Sequence, residues 1–295
     1  MDFGTTEDTA PAGPDTGQRV EPALSVRCWG TRGSIPSPGP STAGYGGNTT
    51  CVEMVAGDCR IIFDAGTGIR LLGDKLLAET GTRQAAIFLT HFHWDHIQGF
   101  PFFAPVYNPE YNLRIVGPTQ GEMDVESLFA GQMGPVYFPI PYEALSATLT
   151  FDHLNEGMWE HKGVRMRAMR MRHPSFTVGY RVEAQGKVVV FIPDNELIGG
   201  DFPAPAHWRN KLEEFVAGAD ILFHDAMFTD TEYANREGWG HSTFSQSLEL
   251  AERAGVKQLF FFHHSPERSD AELNQILDQY RKQTAERGLD LGVHA

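Results

Sequence analysis

Long apolar runs are missing from this sequence, and so are paired cysteines, a basic leader and any excess of cations. No stretch is free enough of charge to span a bilayer, so no membrane partner is expected. The opening residues have neither the basic start nor the apolar stretch of a secretory signal, which makes the cytoplasm the expected location. The only cysteines are Cys28, Cys51 and Cys59, without CxxC spacing. An odd count in a cytoplasmic chain predicts buried, reduced thiols and no thiolate metal site. Lys and Arg number 24 against 38 Asp and Glu, a formal net charge of −14. Such a chain repels polyanions unless it segregates a basic patch. The one dense basic run, Arg165, Arg167, Arg170 and Arg172, alternates with Val164, Met166, Ala168 and Met171. That pattern predicts the solvated face of a strand and not a nucleic-acid stripe.

What is present suffices for a large core: 295 residues, 41% of them hydrophobic. Residues 1–22 are rich in Gly, Pro, Thr and Asp and poor in large apolar side chains. They are expected to form a disordered tail ahead of one domain over 23–295. Period-2 patterning predicts strands at 26–29, 51–56, 60–63, 85–90, 113–116, 164–171, 177–183, 187–192, 221–224 and 258–262. Helical periodicity predicts helices at 69–77, 209–217 and 244–254, with a last one from Asp270. Strand runs followed by strand–helix alternation point to an α/β fold with helices covering sheets. Several strands run straight into His or Asp: His91, Asp194, Asp225 and His263. Strand ends are where α/β sheets place their sites.

The strongest chemical signal is His91-Phe92-His93-Trp94-Asp95-His96. A lone histidine in an apolar setting is usually a satisfied core or surface residue. Three histidines and an aspartate packed behind a buried strand are different, because each unsatisfied polar group costs roughly 1–3 kcal/mol. A shared cation is the economical partner, and imidazole with carboxylate suits Zn²⁺ and its neighbours. His153, His161, His207 and His294 lie in polar segments and are read as surface histidines.

This HxHxDH pattern resembles that of the metallo-β-lactamase fold, and other segments resemble it in order from Val26 onward. The resemblance implies an αββα sandwich, two mixed β-sheets flanked by helices. It also implies two divalent metal ions, zinc first, with manganese or iron suiting the same ligands. Asp64 in Phe63-Asp64-Ala65-Gly66 resembles the family's structural aspartate. By the same resemblance His91, His93, His173 and Asp194 hold one metal, and Asp95, His96, His263 and the bridging Asp194 hold the other. His264 adjoins His263, and the His263-His264-Ser265 ending favours His263.

Phe223-His224-Asp225-Ala226 and Gly240-His241-Ser242-Thr243 resemble two motifs of ribonuclease Z and related phosphodiesterases. In that branch the second motif's histidine donates a proton and the first motif's acid orients it. Here this implies His241 and Asp225, with Asp on a shorter arm than the usual Glu, and Asp95 helping to orient the water. Phosphodiester cleavage with a poor leaving group requires such a donor. The resemblance therefore implies a dinuclear phosphodiesterase in which hydroxide on the metals attacks phosphorus. The Gly-rich segments Trp29–Ser34 and Gly46–Thr49 resemble a bacterial subgroup near the cyclic phosphodiesterases. Arg32 and Asn48 are the candidate phosphate contacts there. The Phe100-Pro101-Phe102-Phe103 insert with Tyr107 suits either a base-binding wall or the core.

Ribonuclease Z carries a tRNA-binding arm between its third ligand motif and its bridging aspartate. In this sequence the span from His173 to Asp194 holds only two strands and a turn. With the acidic charge, this predicts a small, even cyclic, phosphodiester as substrate and no tRNA or other nucleic acid as partner. The rival readings are a thioester or lactone hydrolase on the same metals and a non-catalytic sensor of the same fold. The oligomeric state stays open, a homodimer included.

Overall fold

In β10 (Lys187–Ile192) successive side chains fall on opposite faces, so Val189 and Phe191 enter one core while Val190 and Ile192 enter another. That rule organises the computed structural model, which describes residues 24–295; the tail expected at 1–22 lies outside the described residues. The first sheet is built from β1 (Leu24–Gly30), β2 (Cys51–Ala56), β3 (Cys59–Phe63), β4 (Gln84–Phe88), β5 (Asn112–Gly117) and β6 (Thr148–His153), paired in chain order. Its first two pairings are antiparallel and the rest parallel. The second sheet holds β7 (Gly157–His161), β8 (Val164–Arg170), β9 (Val178–Ala184), β10, β11 (Ile221–Asp225), β12 (Gln258–Phe262) and β13 (Gly292–His294), also in order. Here the antiparallel pairs come first, and β10 to β13 run parallel.

Three apolar layers result. Phe63, Phe88, Met166, Tyr180, Phe191 and Phe262 pack between the two sheets. On the outer face of the first sheet, α1 (Gly68–Ala78) buries Ile69, Leu72, Gly73 and Leu76, the i, i+3, i+4, i+7 stripe of an amphipathic helix. On the outer face of the second, α4 (Trp208–Val216), α6 (Phe244–Arg253) and α7 (Asp270–Glu286) cover the remaining core. Helices α6 and α7 each start with a reciprocal capping box, Thr243 with Gln246 and Ser269 with Glu272. The two mixed sheets flanked by helices are those of the expected αββα sandwich.

Strands β6, β7 and β13, helix α3 (Val125–Gln132) and the single-turn helix α5 (Asp230–Tyr233) lie where no element is expected from the sequence. All three strands lie at sheet edges, and β7 is mostly exposed, so apolar patterning hardly marks them. Cys51 and Cys59 are buried free thiols as expected, whereas Cys28 corrects the expectation: it is a free but exposed thiol on edge strand β1. Arg165 and Arg167 are exposed on β8 as anticipated. Arg172 instead turns inward and donates to the carbonyls of Leu197 (3.3 Å) and Gly200 (2.6 Å). No helix among the described residues is long and apolar enough to cross a membrane.

Candidate metal centre

The parallel strands β3, β4, β10, β11 and β12 all end at one pole, and the polar residues that follow them converge there. β4 stops at Phe88, and Leu89 and Thr90 lead into His91. His93 keeps an extended backbone, and a short helix, α2 (Trp94–Ile97), starts after it. Asp95 and His96 thereby sit on one helical turn and point back toward the strand ends. β12 ends at Phe262, and His263 then adopts a left-handed backbone with φ 60°. This turn sends His263 Nε2 to within 3.0 Å of Asp95 and 3.4 Å of Asp194. His264 goes elsewhere: it is buried against Tyr45, and neither of its ring nitrogens has a hydrogen-bond partner.

Five overlapping groups of three residues bring their ligating atoms within 4.8 Å of one another, among them His91, His93 and His173, and Asp95, His96 and His263. Asp194 stands between these two. One carboxylate oxygen lies 3.1 Å from His96 Nε2; the other lies 3.6 Å from His173 Nε2 and 3.8 Å from His91 Nε2. Three of the outer nitrogens are occupied by the protein, whereas His263 Nδ1 is buried without a partner. His96 Nδ1 donates to Asp64 at 2.8 Å, His173 Nδ1 donates to the Gly240 carbonyl at 2.9 Å, and His91 Nδ1 meets Thr90 Oγ1 at 3.1 Å. Fixing the outer nitrogen in this way aims the inner one, as metal-binding histidines require.

The donor set fits a pair of cations. His91 Nε2, His96 Nε2 and Asp194 Oδ1 are buried with no hydrogen-bond partner. His93 Nδ1 and His173 Nε2 face each other at 3.1 Å. Burial pushes the His91 imidazole down, and His173 to about 3, so both present neutral lone pairs. Burial alone would raise Asp194, yet His263, His96 and His91 hold its carboxyl well below the carboxylate range. His96 is opposed by burial but raised well above the ordinary imidazole value by Asp194, Asp95 and Asp64. That favoured positive charge is what a metal ion supplies in place of the proton.

Beside the centre stands His241, whose ring stacks on His263 at 4.8 Å and meets His173 edge-on at 5.3 Å. Its Nδ1 donates to Asp225 Oδ2 at 2.7 Å, so the shorter aspartate arm does span the gap. Asp225 is itself held by the backbone N–H groups of Asn195, Met227 and Ser242. Burial would lower His241, but the charge and hydrogen bond of Asp225, with Asp194 and Asp95 behind, push it up to about 9.

Of the two expected phosphate contacts, Arg32 is not arranged for that role. Arg32 is fully buried and spends its guanidinium on the carbonyls of Gly46 (2.9 Å) and Arg268 (2.6 Å) and on Asp270 (3.2 Å). An arginine so committed has no face left for a phosphate; it anchors the loop instead. That loop matters, because Ser34 N–H donates to Asp95 at 2.7 Å and a side chain on Gly33 would strike the His263 ring. Asn48 is half-buried, and its amide oxygen accepts from Thr67 at 3.2 Å. In the aromatic insert, Phe100 and Phe103 are core residues and Tyr107 donates to the Pro101 carbonyl, while Phe102 is exposed. Glu196, unnoticed in the sequence, is fully buried next to the centre; its only signal was an acid two residues past Asp194.

The model of the β-lactamase superfamily domain matches residues 59–264, more than half of the chain. The chain belongs to this superfamily. A curated ribonuclease Z from Exiguobacterium sibiricum is 28% identical over 237 residues, 66% of this chain and 78% of that protein. Among solved structures, a diphosphatase of the PhnP family superposes with a TM-score of 0.63 at 18% identity, covering 92% of this chain and 94% of its own. The short form of human tRNase Z gives 0.58 at 19%, covering 81% and 92%. This superfamily member is a metal-dependent hydrolase. The relatives overturn the expectation that tRNA and other nucleic acids have no part here, since curated relatives are ribonucleases. The physical flaw lay in using net charge and one short segment. Net charge says little about the field at a cation-bearing centre, and the His173–Asp194 span is one of many surfaces a polyanion can meet.

Proposed function

We propose that the chain is a phosphodiesterase that works with two divalent cations. His91, His93 and His173 would hold one, Asp95, His96 and His263 would hold the other, and Asp194 would be shared by both. The observation that carries this reading is the 2.7 Å His241–Asp225 pair beside the two ligand groups. When bound, the cations supply charge neutralisation for the phosphoryl oxygens and an activated water. The chain's own residues do the rest. Asp95, fixed by the Ser34 N–H, orients what lies between the ligand groups. Asp225 keeps His241 protonated on Nδ1 and correctly turned, so that Nε2 hands a proton to the leaving oxygen. A thioester hydrolase would gain little from that donor, because a thiolate departs more easily than an alkoxide.

The test is a substrate panel run on metal-loaded protein: an aryl diester, a cyclic nucleotide, a tRNA precursor with a 3′ trailer, a thioester and a lactone. Turnover of one or more diesters that is lost on chelation supports the reading, and the panel ranks small diesters against RNA. Turnover confined to the thioester or lactone overturns it.

A further inference from the structure

Asp194-Asn195-Glu196 follow β10 as three buried polar residues, each exposed by 1% or less. Asp194 faces the centre. Asn195 Oδ1 accepts the Arg172 N–H at 3.1 Å, one residue before His173. Glu196 faces the other way and receives donors from one segment, residues 233–240. Oε1 accepts Tyr233 O–H at 2.5 Å and the Gly238 N–H at 2.9 Å, and Oε2 accepts the Gly240 N–H at 2.8 Å. No cation pairs with this carboxylate among the described residues. Burying a charge without a counter-ion is unfavourable unless its hydrogen bonds are good ones. An apolar side chain would leave the Gly238 and Gly240 N–H groups without this acceptor, so what the acid supplies is the position of its donors.

Those donors matter because of Gly240. Its carbonyl accepts the His173 Nδ1–H at 2.9 Å, and His241 follows it directly. Gly240 has φ 91°, and a Cβ there would lie 2.4 Å from His173 Nδ1, so only glycine lets the peptide come this close to the ring. We infer that Glu196 is a positioning residue: through the Gly240 peptide it sets both the His173 ring and the proton donor His241. The inference rests on the function proposed above for His241, but its His173 arm does not.

Glu196→Gln is the discriminating variant. An amide nitrogen would replace one oxygen and point N–H at a backbone N–H, releasing the loop. Cobalt titration of metal-free protein should show about 10-fold weaker binding and an altered visible spectrum, the scale usual for partners that orient a ligand. With a cyclic nucleotide or similar alkyl diester kcat should fall about 10²-fold at nearly constant KM, and less with an aryl diester. Tyr233→Phe, which leaves both backbone donors in place, should retain most of each property. If Glu196→Gln binds cobalt as the wild type does and keeps the alkyl-to-aryl ratio, the inference fails and Glu196 serves stability alone. Should that variant not fold, amide exchange in the wild type decides: protected Gly238 and Gly240 N–H groups support the clasp, and exchange at exposed-loop rates overturns it. Should the wild type cleave no diester, the proposed function falls, while the cobalt titration still decides the case for Glu196.

Discussion

The first sheet delivers His91, His93, Asp95 and His96 on one turn behind β4, whereas the second sheet delivers His173, Asp194, Asp225, His241 and His263 from separate strand ends and loops. On the first side one carboxylate does most of the orienting: Asp64 takes the Thr90 N–H and the His96 ring. On the second side Asp225, Asn195 and Glu196 share the task from two segments of chain. A contiguous motif is held by its own turn, and dispersed residues need a network to bring them into register. The two sides should therefore fail differently when cut.

The largest effect should come from the residue both sides share. Asp194→Ala is expected to lower metal content from about two ions per chain to below one, with activity falling by more than the ~10²-fold typical of orienting partners. Elemental analysis and a diester assay check this; full occupancy would show that Asp194 is no bridge.

Next comes a cut confined to the second side. His241→Ala, with metal content unchanged, should lose ~10²-fold or more on an alkyl diester relative to an aryl diester, whose leaving group departs without a proton. Asp225→Ala should do the same more mildly. Equal losses on both substrates would mean that His241 binds or stabilises charge and donates no proton.

The matching cut on the first side is Asp64→Asn, which removes the charge behind His96. Metal affinity should fall by about 10-fold or somewhat more, with the alkyl-to-aryl ratio unchanged. A changed ratio would erase the distinction between the two sides.

Arg32 gives a smaller effect on function. Arg32→Ala strands buried acceptors and Asp270, so about 3 kcal/mol of stability should be lost by denaturant unfolding, with KM within about twofold of wild type. A large KM increase would restore Arg32 as a substrate contact.

The smallest effect near neutral pH is acid sensitivity of the second side. His224 is lowered to about 4 and His264 to about 3, both chiefly by burial. Their unfolded value is about 6.5, so the unfolded chain takes up protons first. Stability from these neutral rings is complete above pH 6.5 and is lost as pH falls toward the folded values, about 2 kcal/mol apiece by pH 5. Unfolding midpoints at pH 7 and 5 test this, and His264→Leu should flatten the slope.

The same asymmetry governs how much could be read beforehand. The central strands and the helices α1, α4, α6 and α7 were legible because burial on one or both faces writes period 2 or 3.6 into the residues. The edge strands β6, β7 and β13 were not, because an edge needs few apolar side chains. Near the centre, chemistry-bearing types announced themselves when clustered, as in His91 to His96. Arg32 misled for a physical reason: a cation beside glycines suits a phosphate, but here it is sealed in by carbonyls and Asp270.

By itself the sequence determined the layers, the motif that needs a cation, and the strand ends from which single polar residues project. Periodicity and residue chemistry are local properties, and they survive without coordinates. Only the tertiary structure decided that His263 and not His264 turns inward, that an aspartate is long enough to hold His241, and that Glu196 grips the loop carrying it. Those outcomes depend on backbone dihedrals and on contacts of 2.7 to 3.0 Å between segments far apart in the chain, and no local pattern encodes them.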